Sequence, residues 1–121
     1  MRAFEYAVLR AVPRVERGET VNIGVIVYSQ AFDFLAAATF VDAARLRALD
    51  PEVDVDGVCA AADAVRAACA GEGQGGLGSK GERFRWLTAP RSTIVQPGPV
   101  HAGMTDDPAA ELARLLDQLV R

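Results

Sequence analysis

Residues Phe4 to Tyr28, F-E-Y-A-V-L-R-A-V-P-R-V-E-R-G-E-T-V-N-I-G-V-I-V-Y, constrain the fold more than any other stretch. Two apolar runs flank a charged loop that holds Arg14, Glu16, Arg17, Gly18 and Glu19. In the first run, Phe4 to Val12, Phe4, Tyr6 and Val8 alternate with Glu5, and Ala7 and Leu9 make the second face partly apolar. A period of two with aromatic and β-branched residues predicts a strand. Pro13 ends it, because proline brings no N–H to a ladder. The second run, Val21 to Tyr28, sets Val21, Ile23, Val25 and Val27 against Asn22, Gly24, Ile26 and Tyr28. Apolar residues on both faces predict a central strand covered on both sides for part of its length. Gly24 in mid-strand marks a bulge or the close approach of another element. The expected unit is an antiparallel pair with a charged tip, on which the other elements pack.

Downstream, Phe32 to Phe40 reads as a third strand that completes a meander. Asp42 is placed to N-cap a short helix ending before Pro51. Asp54 caps a longer helix running to Ala70, with Val55, Val58, Cys59, Ala62, Val65 and Cys69 at helical spacing and Gly71 as its stop. Residues 71–81, G-E-G-Q-G-G-L-G-S-K-G, form a glycine-rich loop expected to be flexible. This loop lacks the G-x-x-x-x-G-K-[ST] order of a phosphate loop, since its lysine precedes glycine and a helix stands before it. Glu82 to Leu87 suits a helical turn or a short strand, and Ser92 to Gln96 a fourth strand. Pro97, Gly98 and Pro99 predict an irregular segment through His101. Asp107, Pro108 and the stripe Leu112, Leu115, Leu116, Leu119 and Val120 predict a final helix. The chain is therefore expected to be one α+β domain over residues 1–121. Its antiparallel sheet has about four strands, a three-strand meander plus one late strand, with helices packed on one face.

Composition narrows the function classes. Half of the residues are hydrophobic and 24% are charged, as in ordinary globular chains. No apolar run nears the ~20 residues of a membrane span. Glu5 and Arg10 interrupt the N-terminal apolar stretch and no A-x-A pattern closes it, so a cytoplasmic protein is expected. A net charge of −3 argues against a general nucleic-acid or membrane binder. Twelve of the thirteen basic residues are arginine in an alanine-rich chain, a bias of GC-rich genomes, which weakens any single arginine as a sign of anion binding. Cys59 and Cys69, ten residues apart on one helix, lie ~15 Å apart along its axis, too far for a disulfide. No metal or cofactor site is expected from their spacing.

Two constellations stand out. Arg14, Glu16, Arg17, Glu19 and Asn22 surround a connection longer than most hairpin turns. Arginines there suit a phosphate or carboxylate, and the glutamates suit a metal ion or a base. A self-neutralising exposed tip accounts for the same residues. Arg85, Trp86, Arg91, Ser92 and Gln96, with Arg83 nearby, suit stacking on a base or a cation–π pair. The plainer account buries the aromatics and leaves the arginines at the rim. His101, the only histidine, can be written into a triad with Ser92, but no nucleophile elbow accompanies it.

The pairing of E-R-G-E-x-x-N-I-G-V with a downstream R-F-x-W-L-x-A-P-R-S resembles a bacterial family known only as domain of unknown function 3037, over nearly the whole chain. The resemblance supplies no activity or catalytic residue. It implies a partner, because family members are often encoded beside HipA-like kinases. The expected function is a non-catalytic accessory module that docks a protein or an anionic ligand through the two constellations. The alternatives are a small hydrolase or phosphate-processing enzyme using Glu16 or Glu19 with Arg17 and Arg91, and a single-stranded nucleic-acid binder.

Overall fold

A computed structural model describes residues 1–121. In chain order the elements are β1 (Arg2–Ala11), β2 (Val21–Ser29), β3 (Phe34–Thr39), α1 (Ala43–Leu49), α2 (Val55–Cys69), α3 (Lys80–Leu87), β4 (Val95–Pro97), β5 (His101–Thr105) and α4 (Pro108–Leu119). The strands form one antiparallel sheet in the order β3-β2-β1-β4, and β5 also pairs with β1. β1 is thus hydrogen-bonded on both edges, to β2 on one and to β4 followed by β5 on the other. The fold is α+β with five strands, one more than the sequence indicates. The extra strand comes from the segment after Pro99. Its short run His101 to Thr105 has no hydrophobic alternation, and it is held in place by its register on Arg2 to Tyr6.

Alternation along β2 is broken. Leu9 pairs with Gly24 but Arg10 pairs with Asn22, so Ile23 is an extra residue in the ladder. A bulge of this kind reverses which face the following side chains occupy. Val21 and Ile23 therefore lie with Ile26 and Tyr28 on one face, and Val25 and Val27 lie on the other. Gly24 sits beside the bulge because a Cβ there would come 2.8 Å from the carbonyl of Ala38 on β3.

The phase change sorts the two halves of β2 between two apolar faces and two cores. Leu9, Ala11, Ile23, Ile26 and Leu35 pack against Leu46 of α1, Val58, Ala62 and Cys69 of α2, and Phe84 and Leu87 of α3. Phe4, Val25 and Val27 pack against Leu112 and Leu115 of α4 and against Val120. The expectation of helices on a single face is therefore corrected: α1 to α3 cover one face and α4 the other. α3 replaces the undecided Glu82 to Leu87 segment and begins earlier, at Lys80. Its start is a capping box, with Ser79 accepting from the Glu82 N–H and Glu82 accepting from the Ser79 N–H. These bonds hold the Glu82 carboxyl below the usual carboxylate range. Within the glycine-rich segment, Gln74–Gly76 form a single 3-10 turn. Asp42, Asp54 and Asp107 cap their helices as their positions predict.

Burial pushes the Cys69 thiol up to about 11, against a smaller opposing pull from the Arg83 guanidinium. The thiol stays neutral in the folded chain at pH values where it would ionise once exposed. Its contribution to stability is therefore complete below pH ~9 and lost as pH rises toward ~11, a change on the order of 2 kcal/mol. Urea melts of the wild type and Cys69→Ala between these limits should diverge, with the variant losing less stability. Phe84→Ala, which empties a fully buried ring position, should cost about 3–5 kcal/mol in the same assay.

Candidate functional site

The loop between β1 and β2 folds on itself. The N–H groups of Arg17 and Gly18 bond to the Arg14 carbonyl, at 3.1 and 3.2 Å, and Gly18 takes a positive φ of 70° to close the turn. Arg17 Nε lies 2.5 Å from Glu19 Oε1, and Arg14 stands 3.9 Å from Glu16. Arg14 also reaches Asp50 at 3.6 Å. Asp50 is buried at the end of α1, where its carboxylate accepts from the Glu52 N–H and its carbonyl accepts from the Val53 N–H. Arg14 is therefore a strut between the hairpin and the α1–α2 turn. Glu16 is 72% exposed on its side chain, so it offers no desolvated carboxylate for acid–base work.

Asn22 lies away from the other four. Its Nδ2 donates to the Leu119 carbonyl at 2.9 Å, and Arg45 Nη1 donates to the Val120 carbonyl at 2.7 Å. Two polar side chains from β2 and α1 thus satisfy carbonyls at the end of α4, where the helix dipole also favours Arg45. Arg45 gives no local signal in the sequence, since its partner lies 75 positions away.

The late constellation divides as well. Arg85 makes a forked bond to both oxygens of Glu5, at 3.0 and 2.8 Å. Gln96 pairs across from Arg10 and donates to the Thr93 carbonyl. Ser92 is exposed. Arg91 stacks on the Trp86 ring, with its Cζ 4.7 Å from the centroid, and donates to the Trp86 carbonyl. Glu5 lies nine residues before Arg14 on an extended path, so Arg85 and the hairpin tip are separated by roughly 30 Å along β1. The loop end of β1 does meet the late segment, through a bond from the Val12 N–H to the Ile94 carbonyl. No ion pair or side-chain hydrogen bond joins Arg14, Glu16, Arg17 or Glu19 to Arg85, Trp86, Arg91 or Gln96.

Two cavities exist, and neither is lined by the hairpin-tip residues. The larger, about 1020 Å³, opens between the start of α3 and the β1–β2 end of the sheet. Of its charged groups, Arg85 is matched with Glu5 and Glu82 with the Ser79 cap, while Arg2 makes no ion pair. The second, about 560 Å³, lies between α2, the glycine-rich turn and the end of α3. Ala64, Val65, Leu87 and Ile94 make it apolar, and Trp86 and Arg91 stand at its side. Trp86 is 49% exposed. Gly75 lies so close to the indole that any Cβ there would collide with the ring. His101 is exposed, and its ring lies 5.1 Å from that of Tyr6, tilted by 31°. No three His, Cys, Asp or Glu side chains gather to form a metal site, and no helix is long and apolar enough to cross a membrane.

A family model described as protein of unknown function (DUF3037) matches residues 6–120. No curated protein and no solved structure matches the chain.

Replacing Asp50 by alanine removes the acceptor of the Glu52 N–H and the strut's anchor, and should cost about 1–2 kcal/mol. Arg17→Ala or Glu19→Ala breaks an exposed pair and should change stability by less than ~1 kcal/mol. Urea denaturation of the three variants separates the anchored charge from the solvated ones.

Proposed function

The chain belongs to the DUF3037 family, and we propose that it is a non-catalytic docking module whose partner is a protein. The surface that receives the partner is Trp86 with Arg91 and the apolar cavity beside them. The observation that carries this reading is the state of Trp86. An indole left half exposed forfeits burial at ~25 cal/mol per Å². Here it is also braced, by Arg91 over the ring and by Gly75 against its edge. Tryptophan and arginine beside a desolvated pocket are the residue types that carry most binding energy where proteins meet.

The chemistry of the surface describes the partner. The cavity suits an aliphatic or aromatic side chain, and Arg91 suits a carboxylate on the same segment. Arg91 already covers the indole, which a stacking base would need uncovered, so a protein segment fits better than a single strand of nucleic acid. A HipA-like kinase is the partner that the family resemblance brings forward.

Titration of such a kinase into the chain is the test. Trp86 is the sole tryptophan, and its emission should shift to the blue as it is covered. Trp86→Ala and Arg91→Glu should each weaken binding by more than ~30-fold, while Arg17→Ala leaves it unchanged. Equal affinities for all four chains would overturn the assignment of this surface.

A further inference from the structure

An open sheet has two edges, and each presents N–H and C=O groups that invite another strand. Three segments form the edges here. β3 is flanked by α2 on one face and α4 on the other. β4 is disarmed by its own residues. Thr93 Oγ1 donates to the Val95 carbonyl at 2.7 Å, and Gln96 Nε2 donates to the Thr93 carbonyl at 2.8 Å. Pro97 and Pro99 bring no N–H at all.

β5 carries none of these protections. The bonds from the Gly98 N–H to the Val8 carbonyl and from the Val12 N–H to the Ile94 carbonyl fix the parity of β1. Its even-numbered residues turn their backbone groups toward β4 and β5. Tyr6 pairs with His101, Phe4 with Gly103 and Arg2 with Thr105, so those three residues of β5 bond inward. Ala102 and Met104 therefore direct their N–H and C=O groups outward. Both are exposed, Met104 at 54%. β5 contains no proline, lysine or acidic residue, and its packing partner is β1.

We propose that β5 is a self-association edge, on which two copies of this chain pair antiparallel about a two-fold axis at Gly103. Ala102 of each copy then lies opposite Met104 of the other. Both pairs exchange their N–H···O bonds, and every outward group of Ala102 and Met104 is satisfied. A long side chain faces a short one in each pair, so the two methionines do not compete for space. Gly103 meets itself at the axis, with the Phe4 ring already lying across it: a Cβ would approach Phe4 Cε1 to 2.8 Å. Two nearby acids are paired within each copy, Glu5 with Arg85 and Asp106 with the Met1 amino group, while Arg2, across from Thr105, makes no ion pair. This match of size favours a second copy over a foreign strand, because the same two residues supply both halves. The interface is isologous and closes at two. It is separate from the Trp86 surface and does not depend on it.

Sedimentation velocity of the full chain from about 1 μM to about 1 mM should show a monomer–dimer equilibrium. The double variant Ala102→Lys, Met104→Lys keeps the inward bonds to β1 but sets like charges across the seam. It should weaken dimerisation by more than ~100-fold with unchanged far-UV circular dichroism. In the wild type, the amides of Ala102 and Met104 should exchange more slowly with solvent as concentration rises. A wild type that stays monomeric over the whole range would overturn the proposal. So would a dimer that survives in the double variant, or one that leaves those two amides unprotected, a readout that needs no variant at all.

Discussion

Tyr6, Phe4 and Arg2 bond to β5 while Ala7 and Leu9 bond to β2, so β1 is the one strand that no other element can replace. Everything else in the fold follows from how its two neighbours meet it. On the β2 side the ladder holds an extra residue at Ile23, and that single insertion decides which side chains point where. With strict alternation, Val21, Ile23, Val25 and Val27 would all face the same way, leaving Asn22 among the opposite set. With the bulge, one face receives Val21, Ile23 and Ile26 and the other Val25 and Val27, and Asn22 is delivered to the end of α4. One residue thus decides which helices each half of β2 meets.

The sequence made the meander and the helix starts legible because their signals are local. Alternation in Phe4 to Val12, aspartates before apolar stripes and Pro108 at a first helical position act within a turn or two of the chain. The late strands were less legible for the opposite reason. β5 has weak intrinsic preference, and its conformation is set by pairing with a strand about a hundred positions earlier. The phase of β2 beyond Gly24 was hidden in the same way, although the glycine itself marked where trouble lay. Ser79, Lys80 and Gly81 resembled more loop, and the capping box that begins α3 lies inside a glycine-rich run that masks it.

The charged residues divide according to where their partners sit. Arg17 and Glu19 are neighbours and neutralise one another at the surface, as their spacing allows. Arg14, Asn22, Arg45 and Arg85 act over long separations, on Asp50, on the end of α4 and on Glu5. Residue type alone marked three of these four as candidates for ligand contact, but type carries no information about distance along the fold. What remains free after those pairings is the indole–guanidinium stack of Trp86 and Arg91 beside an apolar hollow. Such residues are ordinary in a sequence and become informative only once their exposure is known.

The pairing of β1 with β5 also bears on how the chain matures while it is being made. The meander is complete once Thr39 has left the ribosome, yet the outer flank of β1 must wait for Thr105 before its ladder is filled. At a synthesis rate of ~5–20 residues per second that interval is roughly 5–20 s from the emergence of β1. During it, the alanine-rich and valine-rich nascent sheet displays an unsatisfied backbone rim. Translational pausing ahead of His101 would lengthen that window, and chaperone occupancy of the emerging chain would be the natural means of guarding it.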